Sequence, residues 1–512
     1  MRDIFKQEKI NRLPKRYGVG FFYKERRYIT HNKLHYKESA LFSFSRGQYF
    51  FLSILGFIFI TLTFISWHAS LVLLISVLVI FYFSDIFFNL FLISRSSMKN
   101  WEISPENISL HENDDYNWPL YTVLCPLYKE SEVLSQFTNA MSELDYPKDK
   151  LQVLLLLEED DRETIEKAKE LNLLVYFEIV IVPNSLPKTK PKACNYGLLR
   201  AKGKYSVIYD AEDIPQKDQL KKAVLVFEKS QEKVICLQAK LNFYNPSQNI
   251  LTKLFTCEYS LWFNLILTGL QSIKAPIPLG GTSNHFKTRE LKKLHGWDAF
   301  NVTEDCDLGI RLAKKGYKTQ MLNSITNEEA NSDLVNWFWQ RTRWVKGYIQ
   351  TYLVHSRDVK ALAKSGFVNT AGLQLVVGGK ILSMLISPFL WLLTFLYFLF
   401  RLKIGVFVES FFPPPILYMA VFSAVVGNFL SLYYYMIACM NNKDYSLIKY
   451  CFLVPIYWVL MSVAAWVAVY KLIQEPHFWA KTIHGFHLKK AFEIEIEELE
   501  NRVFRPAPQF SI

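Results

Sequence analysis

The 512-residue sequence has no C-x-x-C pair, no glycine-rich fingerprint after its first strand-like segment and no internal repeat. Seven scattered cysteines without paired spacing predict reduced thiols in a cytosol-facing protein, not a zinc or redox centre. The missing fingerprint argues against a dinucleotide-dependent oxidoreductase, because that class needs glycines where this chain has VLCPLYKE. Basic clusters within a folded module are also missing, so we expect no nucleic acid as a partner.

The composition is too apolar for a soluble protein and too charged for a purely intramembrane one. Hydrophobic residues make up 51% of the chain, aromatic residues 16% and charged residues 21%. The first long apolar run begins near Tyr49, too late for a standard export signal, so we expect it to remain as an anchor. The net charge is +12, and the tail 1–48 is rich in Lys and Arg. We therefore expect this tail in the cytoplasm, solvated or lying on anionic lipid.

Five apolar stretches approach or exceed the roughly twenty residues needed to cross a membrane. They cover residues 49–66, 71–93, 382–401, 416–438 and 450–472. The first two form a hairpin, so the polar block 94–355 returns to the cytosol. Block 356–381 is predicted to be an amphipathic interfacial segment, a re-entrant hairpin or an extra span, and the tail 473–512 to be cytosolic. These expectations describe a multi-pass integral protein of the inner or plasma membrane, with five or six spans and the lipid bilayer as a partner.

Short apolar runs alternate with amphipathic segments in the polar block. The predicted strands are 122–126, 152–157, 175–182, 205–209 and 234–238. This rhythm predicts an α/β fold with a largely parallel sheet covered by helices. Ligands of such sheets bind beyond the carboxyl ends of the strands, so we expect the chemistry there.

Two acidic clusters follow predicted strands. Glu158 and Glu159 come after QVLLLL, and Asp210, Glu212 and Asp213 come after YSVIY. Mg²⁺ takes oxygen ligands, typically one or two carboxylates together with substrate phosphates. The second cluster supplies that arrangement at a strand end, whereas the first also fits a solvated helix start.

Polar and basic side chains complete a candidate nucleotide site. Tyr128 and Glu130 lie in a turn that opens a helix, where unpaired amides attract phosphate or ribose hydroxyls. Lys188, Lys190 and Lys192 follow a later strand and are candidate phosphate contacts, although a basic loop is an equally simple interpretation.

The segment NVTEDCDLGIRLAKKG predicts a helix with Thr303 as N-cap and Gly316 as its stop. Its first turn carries Glu304 and Asp305. Carboxylates at a helix start are commonly structural. The functional interpretation makes Asp305 a general base that takes a proton from an acceptor hydroxyl, with Glu304 beside the same pocket.

The segment NWFWQRTRW places aromatic and basic residues at helical spacing. An aromatic belt at the membrane surface is one interpretation. The other uses Arg343 to clamp a diphosphate and Trp344 to stack on a sugar ring, with Gln340 on or beside the same helix face.

Three motifs together resemble the processive, membrane-integrated members of glycosyltransferase family 2, which include cellulose and hyaluronan synthases. They are DAED from Asp210, TED from Thr303 to Asp305 and QRTRW from Gln340 to Trp344. The resemblance implies a cytosolic GT-A-type (Rossmann-like) domain inserted between transmembrane helices. The segment FWAKTIHG resembles the gating loop of cellulose synthases, with Thr482 and His484 near phosphate.

The resemblance and the residue patterns described above together assign a role to each candidate residue. Asp305 would be the catalytic base, and Asp210 and Glu212 would bind Mg²⁺ or Mn²⁺. The nucleotide-sugar site would comprise Tyr128, Glu130, Glu158, Glu159, Lys192, Asp210, Gln340 and Arg343. The acceptor site would comprise Glu304, Trp344, Gly281 and Thr282. The family's usual paired aspartates appear here as Glu158 and Glu159, and the second metal-binding acid is Glu212.

Several functions fit these residues. The first is an inverting β-glycosyltransferase that moves a hexose or N-acetylhexosamine from a nucleotide-diphosphate sugar, most simply a UDP-sugar, to a growing polysaccharide and exports it. The second makes a glycolipid by a single transfer to a lipid acceptor. The third is a non-catalytic membrane scaffold or transporter, which the intact set of carboxylates argues against. Whether an accessory subunit takes part stays open.

Overall fold

An eight-stranded mixed sheet forms the centre of the polar block. The computed structural model describes residues 21–23, 26–104, 116–479, 481–482 and 485. The strands are β1 Phe21–Tyr23, β2 Arg26–Tyr28, β3 Tyr121–Leu127, β4 Leu151–Glu158, β5 Phe177–Val182, β6 Tyr205–Ile208, β7 Ile214–Pro215, β8 Val234–Phe243, β9 Asn284–Lys287 and β10 Lys318–Glu328. Strands β3 to β10 form the sheet in the order β5-β4-β3-β6-β9-β8-β10-β7, and β1 pairs with β2 as a separate hairpin.

Helices cover the sheet and extend from it into the apolar part of the chain. The α-helices are α1 Arg46–Ile65, α2 Trp67–Met98, α3 Leu134–Ser142, α4 Arg162–Glu170, α5 Lys190–Arg200, α6 Gln219–Lys229, α7 Ile250–Leu261, α8 Leu267–Ser272, α9 Thr288–Lys293, α10 Glu304–Lys314, α11 Leu334–His355, α12 Val359–Lys364, α13 Phe367–Gly372, α14 Lys380–Glu409, α15 Pro414–Phe422, α16 Asn428–Asn441 and α17 Val454–Gln474. Single π-helical segments join α7 to α8, α13 to α14 and α15 to α16, and a 3₁₀ segment, Tyr445–Leu453, leads into α17.

All five predicted strands are present, as β3, β4, β5, β6 and β8. Strand β4, LQVLLLLE, is buried along its whole length because helices cover both faces of the sheet. The sequence prediction missed β7, β9 and β10. Strand β9 is the polar tetrapeptide NHFK, and β10 interleaves polar residues with few apolar ones, so neither presents a continuous apolar run.

The direction of the strands determines which loops meet. Strands β5, β4, β3, β6, β8 and β10 run in the same direction, whereas β9 is antiparallel to its neighbours β6 and β8. The carboxyl ends of the six co-directional strands therefore share one edge, called here the carboxyl edge. Because β9 runs the other way, the residues that precede it lie at that same edge.

Five described helical stretches are long and apolar enough to cross a membrane. They are Arg46–Ile65, Trp67–Met98, Phe367–Glu409, Pro414–Asn441 and Tyr445–Gln474. The predicted interfacial or re-entrant block 356–381 forms α12 and then the beginning of the 43-residue stretch from Phe367. That stretch is helical throughout, with one bend at Phe400.

The described part of the N-terminal tail packs on the sheet domain and is not merely solvated. The ring of Phe21 stacks on Tyr28 with centroids 5.7 Å apart, and both rings contact Phe300. Farther along, Ser39 Oγ donates a hydrogen bond to Asp298 Oδ1 at 2.8 Å. Described residues before α1, among them Phe21, Tyr28 and Ser39, therefore pack as part of the domain.

Candidate active site

One cavity of about 630 Å³ opens at the carboxyl edge. Twelve of the fourteen site residues predicted from the sequence line it: Tyr128, Glu130, Glu158, Asp210, Glu212, Gly281, Thr282, Glu304, Asp305, Gln340, Arg343 and Trp344. They come from the end of β4, the loops after β3 and β6, the loop before β9, the start of α10 and the middle of α11. Acidic and basic groups that are far apart in the sequence thus face the same space.

The turn after β6 concentrates carboxylates. Asp213 closes this turn, since its Oδ2 accepts hydrogen bonds from the Asp210 backbone N–H at 2.7 Å and from the Thr282 hydroxyl. Burial, reinforced by the Asp210 carboxylate, raises the pKa of both Glu212 and Asp213 well above the usual range. This cluster of buried carboxyl groups is suited to binding a cation.

Lys190, the first residue of α5, supplies one such charge. Its Nζ lies 2.5 Å from Asp210 Oδ1 and donates a hydrogen bond to the Gly281 carbonyl at 2.8 Å. Burial disfavours the ammonium form, yet the Asp210 carboxylate holds the pKa of Lys190 above its usual value. The amino group therefore stays charged beside the N-terminus of a helix, where anions bind favourably.

Helix α10 has the predicted boundaries, with Thr303 as N-cap and Gly316 just beyond its end in a left-handed conformation, φ +82°. Helix α11 passes very close to its start. A Cβ on Gly347 would lie 2.3 Å from Thr303 Oγ1, so glycine is required for this approach. The close crossing brings the middle of α11 to the first turn of α10.

Glu304 and Asp305, two of the three acidic residues in the first turn of α10, differ in protonation. Burial raises the pKa of Asp305 to about 6, and the Cys306 N–H, which donates to Oδ1 at 2.8 Å, limits the rise. Burial and the Asp305 carboxylate raise the pKa of Glu304 to about 8. At neutral pH Asp305 is therefore mainly a carboxylate and Glu304 mainly a neutral acid, which suits a general base beside a hydrogen-bond donor.

Helix α11 presents Gln340, Arg343 and Trp344 to the cavity. The Trp344 ring packs against Tyr259, with centroids 6.4 Å apart and planes 29° apart, which holds the indole in place. Gln340 Oε1 and Arg343 Nε are buried without a hydrogen-bond partner among the described residues. Both side chains therefore have polar atoms available to a ligand.

Lys192 and Glu159, both predicted to bind the nucleotide sugar, lie outside the cavity lining. Lys192 is fully buried, with its Nζ 2.8 Å from Glu158 Oε2, and Glu159 is exposed and accepts a hydrogen bond from the Asn184 N–H at 2.8 Å. Lys192 does not line the cavity because of helix geometry. Residues two apart on α5 point to opposite faces, so Lys190 faces the cavity and Lys192 faces away.

Two cavity residues come from the N-terminal hairpin, which sequence reasoning did not connect to the site. Arg26 and Tyr28 line the cavity beside Leu186. The Ile29 N–H donates to the Leu186 carbonyl at 2.8 Å, and this bond attaches the hairpin to the loop before α5. Arg26 is one basic residue in a basic tail, so its sequence context carries no signal for this role.

The opposite end of the cavity reaches the apolar helices. It is lined there by Trp262, Lys380 of α14, Met384 of α14 and Met461 of α17. The Lys380 ammonium lies 4.1 Å from the centre of the Trp262 ring. The site is therefore polar at the sheet and largely apolar where it meets the helical bundle.

Arg341 faces these helices as well. Its guanidinium pairs with Glu258 Oε2 at 2.6 Å and donates a hydrogen bond to Tyr457 Oη at 2.8 Å. This buried network joins α11 to α7 and α17.

The described residues after α17 lie over the mouth of the cavity. The Lys481 ammonium is 3.3 Å from Glu130 Oε1 and donates to the Lys129 carbonyl at 2.7 Å. Arg343 donates to Thr482 Oγ1 at 3.2 Å, and the Trp479 ring lies 4.6 Å from its guanidinium carbon. The gating-loop role of Thr482 stays a prediction, and His484 lies outside the described residues.

The sheet, the acidic carboxyl edge and the flanking apolar helices together define a GT-A-type transferase domain set between candidate membrane helices. The chain belongs to the glycosyl transferase family group 2, whose family model matches residues 206–469, just over half of the chain. The predicted family and fold are thereby confirmed.

Relatives within this family differ in their acceptors. The chain is 28% identical over 232 residues to the probable glycosyltransferase YdaM of Bacillus subtilis, a match that covers 45% of this chain and 55% of that protein. It is 27% identical over 244 residues to a beta-monoglucosyldiacylglycerol synthase of Trichormus variabilis, covering 46% and 50%. It is 26% identical over 242 residues to the probable glucomannan 4-beta-mannosyltransferase 3 of Oryza sativa, covering 45% and 43%. The chain thus spans about half the length of the curated relatives it matches.

Among solved structures, the mannosyltransferase PcManGT from Pyrobaculum calidifontis in complex with GDP-Man and Mn²⁺ aligns with a TM-score of 0.48 at 17% identity. The alignment covers 78% of this chain and 99% of that one.

Proposed function

We propose that the protein is an inverting glycosyltransferase that moves a sugar from a nucleotide-diphosphate donor to an acceptor hydroxyl, with Asp305 as the base. The observation that carries the proposal is the single cavity shared by Asp210, Asp305, Arg343 and Trp344. Asp305 takes the proton as the hydroxyl oxygen attacks the anomeric carbon on the face opposite the diphosphate, and this one displacement inverts the configuration. Lys190 and Arg343 stabilise the negative charge that grows on the leaving diphosphate.

Asp210 and Glu212 would hold a Mg²⁺ or Mn²⁺ ion. The residues fit such a hard cation, because Asp213 Oδ1 and Glu328 Oε1 are further buried carboxylate oxygens with no hydrogen-bond partner among the described residues. When bound, the ion supplies additional charge neutralisation for the diphosphate.

The acceptor we propose is a membrane lipid that receives one sugar. The cavity extends from Trp344 to Trp262, Met384 and Met461. This apolar end is suited to the part of a lipid that adjoins its acyl chains. Among the described candidate membrane stretches, those containing α14 and α17 contribute to this lining. The second candidate is a growing polysaccharide, and the resemblance to glucomannan 4-beta-mannosyltransferases favours it. A polymer passing through the bundle needs a wall built from more helices than these two stretches provide.

Four of the five candidate stretches cross the bilayer in this proposal. The residues after α17 and the hairpin before α1 contact one cavity, so both lie on the side of the catalytic domain, and the number of crossings is even. The stretch that does not cross in this proposal is Tyr445–Gln474, because it packs along α11 of the catalytic domain. Tyr457 accepts a hydrogen bond from Arg341, and Lys346 donates to the Glu475 and Phe478 carbonyls. Protection of a C-terminal tag from protease in sealed right-side-out vesicles is the expected result. Cleavage of the tag there would place the tail outside.

The donor and acceptor are tested together with purified protein in detergent–lipid micelles. Radiolabelled UDP-glucose, UDP-N-acetylglucosamine and GDP-mannose are each supplied with diacylglycerol or with an oligosaccharide primer, and the products are separated by solvent extraction. We expect label in the organic phase, with one sugar per lipid. Label in material that stays at the origin of a chromatogram and yields to a glycanase would instead support the polysaccharide candidate.

The base is tested with Asp305→Asn. We expect loss of product in both acceptor assays while calorimetric binding of the unlabelled nucleotide diphosphate is retained. Full activity of this variant would contradict the assignment of Asp305 as the base.

A further inference from the structure

Three cysteines from distant parts of the sequence meet away from the cavity. They are Cys257 on α7, Cys439 on α16 and Cys451 in the 3₁₀ segment before α17. All three are buried, and their sulfur atoms lie within 4.8 Å of one another. The Sγ atoms of Cys257 and Cys451 are 4.0 Å apart.

This spacing matches a trigonal metal site. Three thiolates around an ion at a metal–sulfur distance of about 2.3 Å lie roughly 4 Å apart. Thiolates are soft ligands that select Zn²⁺ and Cu⁺ over Mg²⁺ or Mn²⁺, so the site is chemically distinct from the carboxylate cluster in the cavity. Within the described part of the chain, the group contains no histidine or carboxylate.

We propose that Cys257, Cys439 and Cys451 bind one thiophilic metal ion, Zn²⁺ or Cu⁺. Binding exchanges protons for the metal: each thiol releases its proton to solvent as its sulfur forms a bond to the ion, and no oxidation or reduction takes place. The inference does not depend on the proposed glycosyltransfer reaction.

A lysine on α7 lies one helical turn from the cysteine group. Lys253 is one helical turn before Cys257, and its ammonium lies 3.3 Å from the hydroxyl of Tyr450, the residue before Cys451. Its Nζ is also 4.6 Å from the centre of that ring.

A bound ion would fasten the catalytic domain to the helical bundle. Cys257 precedes Glu258, whose carboxylate pairs with Arg341 on α11 at 2.6 Å. Fixing α7 against α16 therefore also fixes the partner of the helix that carries Arg343 and Trp344. The alternative is that the thiols pack as small apolar groups, which buried cysteines commonly do.

Metal analysis of the full-length protein distinguishes a bound metal ion from three packed thiols. The protein is purified in detergent without chelators, and Zn and Cu are each quantified by inductively coupled plasma mass spectrometry. We expect about one ion of one element per chain, and a loss of most of it in Cys257→Ala, Cys439→Ala and Cys451→Ala. Cys236→Ala is the matched control, because Cys236 is equally buried but lies in β8, outside the group. This variant should keep the ion.

A second measurement uses the unaltered chain and so does not depend on how the variants fold. Chelator-treated wild-type protein is titrated with Co²⁺ under reducing conditions, and thiolate-to-cobalt charge-transfer absorption in the near ultraviolet is expected to saturate at about one equivalent. Wild-type protein that contains neither element and develops no such absorption would overturn the proposal. Metal retained in full by all three variants would overturn it equally.

Discussion

The Lys190 ammonium and the Asp210 carboxylate form an ion pair, with Nζ and Oδ1 2.5 Å apart, between the start of α5 and the turn after β6. A Cβ on Gly281 would lie 3.6 Å from Asp305 Oδ2 and 3.9 Å from Lys190 Nζ, so the base and this cation flank the same small residue. In the proposed reaction the acceptor oxygen loses its proton and attacks the anomeric carbon while the diphosphate leaves from the opposite face, so a base and a cation close together would serve the two sides of one carbon centre.

Replacing Lys190 should therefore weaken the reaction strongly. For Lys190→Ala we expect kcat/KM for the preferred donor to fall roughly 10- to 150-fold, the equivalent of a charged contact worth about 1.5–3 kcal/mol. Lys217→Ala is the control, since Lys217 pairs with Glu143 at the surface, outside the cavity lining, and should change the rate less than about fivefold. Equal effects of the two substitutions in initial-rate assays would show that Lys190 has no special role.

The rate should depend on pH through Asp305. Burial raises the pKa of this base to about 6, and the base is active only when deprotonated, so kcat/KM is expected to be present above pH 6 and lost as the pH falls through it. Because burial raises the pKa of Glu304 to about 8, Glu304 is already neutral in this range. Glu304→Gln should thus leave the acidic limb of the profile in place, even if the maximal rate falls. A limb that moves by one unit or more would contradict this division of roles.

Sequence reasoning located the strands that are buried in the sheet, because burial requires a continuous run of apolar residues. Strand β4 has such a run, and the predicted and observed limits agree within a residue. Strand β9 is short and polar, and its place between β6 and β8 is set by tertiary pairing, which no local pattern encodes. That pairing nevertheless explains why Gly281 and Thr282, before β9, reach the site.

Site residues were predictable where a motif fixes both residue type and spacing. Asp305 and Arg343 are examples, and both line the cavity. The choice between Lys190 and Lys192 was not predictable from charge alone, because it depends on the rotation of α5 against the sheet. Arg26 belongs to the site only because the chain before α1 folds back onto the loop before α5.

The Lys192–Glu158 pair should contribute stability, not donor binding. Both side chains are buried, and Lys192→Met leaves the Glu158 carboxylate without its partner, a change that costs about 3–5 kcal/mol. We expect a clear drop in Tm, measured by fluorescence in detergent, with much of it restored in Lys192→Met/Glu158→Gln. An unchanged Tm with a raised donor KM in the single variant would reinstate Lys192 as a nucleotide contact.

The segment after α17 should help to retain the donor. Lys481 pairs with Glu130 and Thr482 accepts from Arg343, so both contacts hold the segment against residues that line the cavity. For Thr482→Val, which keeps the side-chain shape, we expect donor KM to rise about 2- to 10-fold, corresponding to one hydrogen bond of about 0.5–1.5 kcal/mol. Lys471→Ala is the control, because its pair with Glu475 lies on the outer surface of α17 and should leave KM unchanged. If Thr482→Val instead lowers KM and raises kcat, the segment obstructs the site and does not retain the donor.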